Sequence, residues 1–314
     1  MLHPIDQLSG ASKAPTLPST LPSPLSTTSG YHPKRRVLIA LAQDISLSNP
    51  LTLSLIPESV IALRKRLMDG FGHNIIPQGL KSRICAYNPY STNKIPQTAF
   101  SNSNTLSNAI LNKLWSDLKT IYFNARQCDI YGKDKNTWCL DIPILNSLIK
   151  GCQLLQLISM QSQQIDPSLL PRSKNALSKI SKKADYTLSF TCHAFTKRIL
   201  LFSGMEVKLD KGSKKEALAQ LAIWLAASLE RIRQLGEQVK GKGKDSANWL
   251  QPTIGITIIG HDWYMYLAYK VGNKVHIISP VSTIITDTWT IYGILKVRDL
   301  VRRVAEYAIQ VYWP

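Results

Sequence analysis

The apolar residues change their spacing in the middle of the chain, and this change constrains the fold more than any other feature. Residues 185–190 and 198–208 alternate or run apolar in the manner of strands. A helical spacing of apolar residues begins at Ser213, and strand-like runs return within 253–278. This order predicts an α/β (α+β) protein with one mixed central sheet flanked by helices.

The same patterns predict the remaining elements. Helices are expected in four other segments: about 58–69, 106–128, 138–160 and 291–309. Strands are expected at 253–259, 263–269 and 274–278. Residues 73–104 contain several Pro, Asn and Ser residues, which predicts a loop. Ser213 and Glu216 have the spacing of a capping box, so the long helix should begin there.

Composition divides the chain into three parts. Residues 1–36 are rich in Pro, Ser and Thr, which predicts a disordered head with a basic end. Residues 37–104 give only one helix and loops, and residues 105–314 contain the predicted domain. The basic run 33–36 resembles a short nuclear-import signal, although such runs also arise by chance. The expected location is therefore intracellular, with the nucleus as one candidate.

Several classes of protein are not expected from this composition. The five cysteines are odd in number and include no C-x-x-C pair, so zinc-finger spacing is absent and reduced thiols are expected. No run of 18 apolar residues occurs, which argues against a membrane span. The N-terminal segment lacks the apolar core of a signal peptide, so secretion is not expected.

The formal net charge of +18 indicates an acidic partner. Basic residues cluster in four segments: 34–36, 172–183, 211–215 and 240–244. Clustering of this kind favours nucleic acid, with an acidic membrane surface as the second choice. The alternative is a scattered basic surface that serves solubility alone.

The segment Met205-Glu206-Val207-Lys208 is the strongest candidate for a chemical site. Side chains alternate along a strand, so Glu206 and Lys208 should point to the same face. Asp185 lies on the preceding predicted strand, where hairpin pairing would bring it close to Glu206. Two carboxylates suit one Mg²⁺ or Mn²⁺ ion, and a neighbouring lysine suits hydrolysis of a phosphodiester by metal-activated water.

The pattern of an acid, any residue and a lysine is weak by itself. A second copy, Asp117-Leu118-Lys119, falls on a predicted helix, where positions two apart do not share a face. Strand context therefore selects Glu206 and Lys208. The alternative interpretation is a simple ion pair on an edge strand.

Several segments occur in an order that resembles the PD-(D/E)XK nuclease superfamily, and more narrowly the fungal PD-(D/E)XK nuclease-like domain proteins. The central part is Ala184-Asp185-Tyr186, then Glu206-Val-Lys208, then a helix bearing Gln220 and Trp224. The flanking segments that match are Ala125–Cys128 with Trp138, Gly260–Tyr266, and Thr288–Gly293 with Trp313. The resemblance covers about residues 105–314 and implies a restriction-endonuclease-like core with an N-terminal helical region.

Carried over by position, the resemblance implies that Asp185 and Glu206 are metal ligands and that Lys208 is the catalytic lysine. Gln220 would lie beside the site. Similar proteins often have a glutamate shortly before the tryptophan that matches Trp138, and here Asp134 is the nearest acid. Loss of that acid would weaken metal binding.

Other residues near this segment have less specific interpretations. Lys211, Lys214 and Lys215 are candidates for contacts with the nucleic-acid backbone, or else solvated loop lysines. His261 is expected to close a strand turn. The tryptophans Trp224, Trp263, Trp289 and Trp313 are expected to be core residues, with base stacking as the alternative.

The sequence thus predicts a metal-dependent nuclease, and the expected substrate is DNA. The alternative is a catalytically inactive nuclease fold that binds nucleic acid or a protein partner. The oligomeric state is left open.

Overall fold

The computed structural model describes ten segments of the chain: 46–47, 56–88, 93–102, 106–132, 155–162, 164–169, 185–190, 201–240, 250–279 and 285–312. The α-helices within these segments are α1 (Glu58–Met68), α2 (Lys81–Tyr87), α3 (Asn108–Ile130), α4 (Lys214–Lys240) and α5 (Ile291–Tyr307). A π-helical turn, Ala308–Tyr312, continues α5. None of the described helices has the length and apolar character needed to cross a bilayer.

The strands form one mixed sheet. They are β1 (Ser46–Leu47), β2 (Leu155–Ser159), β3 (Tyr186–Phe190), β4 (Leu201–Lys208), β5 (Thr253–Ile259), β6 (Asp262–Val271), β7 (Lys274–Ile278) and β8 (Thr286–Asp287). Their order is β1-β7-β6-β5-β4-β3-β2, and β8 pairs with β6. The β4–β5 and β1–β7 pairs are parallel, whereas the other pairs are antiparallel. The predicted fold class is confirmed.

Helix α4 connects the two parallel strands β4 and β5 and covers one face of the sheet, the α4 face. The helix begins where predicted, because the Ser213 Oγ accepts a hydrogen bond from the Glu216 N–H at 3.3 Å. Its close approach to the sheet depends on Gly255. A Cβ at that position would lie 2.6 Å from Leu225 Cδ1 and 2.8 Å from Leu221 Cδ2, so a larger residue would push the helix away.

Helix α5 covers the opposite face of the sheet, the α5 face, and α1 packs on α5. The buried side chains of this core are apolar and come from both layers: Met205, Val207, Ile254, Ile256, Ile258, Met265, Leu267, Val297, Leu300, Val301 and Val304. Arg303 of α5 donates to the backbone oxygen of Asp69, at 2.7 Å, which fixes the end of α1. The N-terminal helical region is thus tied to α5.

Two predictions about local structure are wrong. Residues 73–104 are not a continuous loop, because a 3-10 turn (Gln78–Leu80) and α2 form within them. They bury Leu80 and Ile84, respectively, against apolar residues of α3 and α5. The helix expected over 138–160 does not extend to its end, because 155–159 form strand β2, which pairs antiparallel with β3. Residues 138–154 lie outside the described part of the chain.

Candidate active site

Strand β4 places Glu206 and Lys208 on the α4 face, as the alternation predicts. The Glu206 side chain is completely buried, and its Oε1 lies 3.1 Å from Lys208 Nζ. Only 17% of the Lys208 side chain is exposed. A buried carboxylate requires compensation for the loss of water, and the lysine ammonium supplies it here.

Asp185 lies directly before β3, next to this pair. Tyr186 is paired with Met205, so Asp185 is opposite Glu206 by continuation of the register. The backbone N–H of Asp185 donates to Met205 O at 3.1 Å, and the Val207 N–H donates to Asp185 Oδ2 at 2.7 Å. These two bonds across the strands hold the buried aspartate at the end of the hairpin.

Gln220 reaches the same site from the first turns of α4. Its Oε1 accepts a hydrogen bond from Lys208 Nζ at 3.0 Å, and its Nε2 donates to Glu216 Oε1 at 3.2 Å. The chain of contacts therefore runs from the start of α4 to the ion pair on β4. Sequence reasoning assigned Glu216 to the helix cap alone, although its spacing of four from Gln220 was a signal for this contact.

The oxygen donors at the site suit a small divalent cation. Asp185 and Glu206 supply two buried carboxylates, and Mg²⁺ accepts a set of two because it keeps several waters of its own. Within the described segments, no group of three or more His, Cys, Asp and Glu residues is arranged to hold a metal ion. Asp134, the suggested further acid, lies outside the described residues.

Three lysines surround the beginning of α4, at the edge of the site. Lys211, Lys214 and Lys215 are exposed. Lys214 Nζ lies 3.7 Å from the centre of the Tyr264 ring. Burial lowers the pKa of Lys214, while the carboxylate of Asp262 acts in the opposite direction. The lysines therefore give this end of the sheet a positive edge.

A further cluster lies beyond β5 and was not predicted as part of the site. His261 is completely buried, its Nδ1 lies 2.8 Å from Thr288 Oγ1, and burial lowers its pKa. Its ring packs on Trp289 in a tilted arrangement, with 3.7 Å between ring centres. Trp289 was expected in the core, but 43% of it is exposed. This expectation is wrong because Trp289 follows the short strand β8 at the edge of the fold.

Comparison with known proteins gives one informative result. A family model described as the PD-(D/E)XK nuclease superfamily matches residues 84–199 and 189–313. The matched segments cover more than half of the chain and include Asp185, Glu206, Lys208 and Gln220. No curated protein and no solved structure matches the chain.

Proposed function

Because the chain belongs to the PD-(D/E)XK nuclease superfamily, we propose that the site on the α4 face hydrolyses phosphodiester bonds in DNA with the help of Mg²⁺ or Mn²⁺. The observation that carries this proposal is the buried pair of Glu206 and Lys208, with 3.1 Å between carboxylate oxygen and ammonium. Asp185, directly before the neighbouring strand β3, supplies the second carboxylate. An ordinary ion pair has one carboxylate. This site has two carboxylates and a lysine at adjacent strands, and this difference distinguishes it.

The chain's own groups have separate tasks in this proposal. Asp185 and Glu206 would hold the metal ion, which when bound lowers the pKa of a water and neutralises charge on the phosphate. Lys208 places a positive charge beside the carboxylates, where it orients a water and stabilises negative charge that develops on the phosphate. Gln220 accepts a hydrogen bond from Lys208 and keeps its side chain in this position.

The positive edge at the start of α4 supports nucleic acid as the substrate. Lys211, Lys214 and Lys215 lie on the segment that directly follows the strand bearing Lys208. Lysines at such a position contact the phosphates and hold the strand beside the site. Binding that depends on them should weaken steeply as salt increases.

The test is cleavage of supercoiled plasmid and of single-stranded DNA with Mg²⁺ or Mn²⁺. The wild type should cut, and Lys208→Ala and Glu206→Gln should lose cutting. Lys119→Ala is the matched control, because Lys119 belongs to the second copy of the motif and is exposed on helix α3. Equal activity of Lys208→Ala and Lys119→Ala would contradict the proposal, provided that thermal unfolding shows both variants folded.

One observation favours the alternative, a nuclease fold that binds nucleic acid or a protein partner without cutting. Glu206 has no exposed surface and its carboxylate is already engaged by Lys208. A metal ion that binds Glu206 would compete with this ion pair. Absence of cutting by the wild type, together with salt-dependent DNA binding, would support this alternative. The nuclear location stays a prediction, because residues 33–36 lie outside the described part of the chain.

A further inference from the structure

Trp289 is an exposed aromatic side chain that packs against the buried residue His261. One side of its indole ring packs on the buried His261 ring, with 31° between the ring planes. The Asp262 carboxylate lies near the indole. His261 itself is fixed by Thr288, whose backbone N–H donates to His261 O at 3.0 Å. The ring is therefore supported on one side, while 43% of the residue stays open to solvent.

The strand residues beside Trp289 are connected to Lys208, the proposed catalytic lysine, by the register of the sheet. Lys208 is paired with Ile259, Ile259 with Asp262, and Asp262 with Asp287. Neighbouring strands lie about 4.8 Å apart, so the backbone of Asp262 is about 10 Å from that of Lys208. A strand of nucleic acid whose phosphate lies at Lys208 can therefore reach the indole with a nearby base.

Charged groups of both signs lie near the indole. Burial, followed by the nearby Asp287 and Asp210, raises the pKa of Asp262. Lys214 lies over the Tyr264 ring and close to Asp262, so a cation that can meet a phosphate is present near this cluster.

We propose that Trp289 is a platform on which an unpaired base of the DNA substrate stacks, so that the enzyme acts on single-stranded DNA or on unpaired ends. This inference rests on the proposed function and adds the class of substrate. Every base has a flat face that an indole can cover, and such stacking needs no particular sequence. In a duplex the faces of the bases are covered by their neighbours, so the platform has nothing to bind until a base leaves the stack.

The experiment is equilibrium binding without any divalent metal, measured by fluorescence anisotropy. The probes are one labelled single-stranded oligonucleotide and the same oligonucleotide as a blunt duplex. The proteins are the wild type, Trp289→Ala, Trp289→Phe and Phe123→Ala. Phe123 is the matched control, since it is 59% exposed on helix α3.

Trp289→Ala should weaken binding of the single strand about 5- to 150-fold, the range for loss of one stacked base. Trp289→Phe should restore most of this loss, and binding of the duplex should change much less. Phe123→Ala should have no effect on either probe. Unchanged single-strand binding by Trp289→Ala, or an equal loss on both probes, would overturn the inference.

The result can be separated from failure of the proposed function. Binding is measured without metal, so a protein that cuts nothing can still show the selective loss in Trp289→Ala. Conversely, a protein that cuts duplex and single strand equally, with no effect of Trp289→Ala, keeps the nuclease function and rejects the platform. Trp289→Phe, which preserves the packing on His261, distinguishes loss of stacking from local unfolding.

Discussion

The two faces of the central sheet are built from alternate residues of the same strands, yet their chemistry differs. On the α5 face, Met205 and Val207 of β4 and Ile256 of β5 pack in an apolar core. On the α4 face, the residues between them include Glu206, Lys208 and Thr257. The α4 face is also apolar farther along, where Leu221 and Leu225 meet the glycines of the sheet.

This difference separates what the fold requires from what the site requires. Burial of apolar surface stabilises both faces, whereas buried charges destabilise the folded state unless they are paired. The charged groups at one end of the α4 face therefore require an explanation other than the stability of the fold. The comparison predicts that the α5 face tolerates no charge and that the ion pair on the α4 face can be removed without loss of stability.

Ile256→Asp should have the largest effect on stability. The side chain is 1% exposed on the α5 face, so an aspartate there would be buried without a partner. The free energy of unfolding should fall by roughly 4–5 kcal/mol or more, or the protein should fail to fold. Urea unfolding measures the change. The control is Thr257→Val on the other face, for which little change is expected, because the Thr257 hydroxyl has no hydrogen-bond partner among the described residues.

The ion pair gives the next effect in size. Lys208→Met should lower the free energy of unfolding by about 3–5 kcal/mol, because it leaves the buried Glu206 without its cation. The double variant Glu206→Leu with Lys208→Met should be as stable as the wild type, or more stable by about 1–4 kcal/mol. Both variants should lack cleavage.

A double variant much less stable than the wild type would break the comparison. In that case the pair would stabilise the fold, and its position beside Asp185 would no longer support a catalytic role. The same two variants and Glu206→Leu alone complete a double-mutant cycle, which isolates the energy of the pair.

The fold was predictable where local pattern and final structure agree. Strands β3 to β7 and helix α4 follow their apolar spacing, and the same alternation placed Glu206 and Lys208 on one face. Strand β2 was missed because its partner, β3, is about thirty residues away and pairing at that distance leaves little local signal. Helix α2 was missed because its stability comes from burial of Ile84 among residues of other helices.

The site was predictable in part for the same reason. Spacing along β4 indicated which residues share a face, and resemblance indicated Asp185 and Gln220. The hydrogen bond from Gln220 to Glu216 and the packing of Trp289 on His261 are contacts that only the folded structure shows. Residues 261 and 289 lie on separate elements, so no periodicity in the sequence relates them.

Glu230 tests whether every charge on the α4 face belongs to the site. It lies ten residues after Gln220, about 15 Å along the helix, and accepts hydrogen bonds from Lys270 of β6 and from Arg233. Burial opposes its ionised form, but the hydrogen bonds of Arg233 and Lys270 outweigh burial and lower the pKa of Glu230 to about 2. This group should stabilise the fold and leave cleavage unchanged.

The sign of the pH effect follows from a pKa that is lower in the folded chain than the ordinary value of 4.5. The stabilisation by Glu230 is complete above pH 4.5 and is lost as the pH falls toward about 2. Glu230→Gln should lower the free energy of unfolding by about 1–2 kcal/mol near neutral pH, after allowance for partial exposure. The difference from wild type should shrink below pH 4.5; a constant difference would contradict the assignment.

The smallest effect compares two helix caps. Ser213 Oγ accepts from Glu216 N–H at the start of α4, and Ser107 Oγ accepts from Ile110 N–H at the start of α3. Replacement of either serine by alanine should lower the free energy of unfolding by about 1 kcal/mol. Only Ser213→Ala should also lower cleavage several-fold, because the first turn of α4 holds Glu216, which in turn holds Gln220 against Lys208. Equal cleavage by the two variants would mean that Gln220 is positioned by packing on the sheet, and that the beginning of α4 belongs to the fold alone.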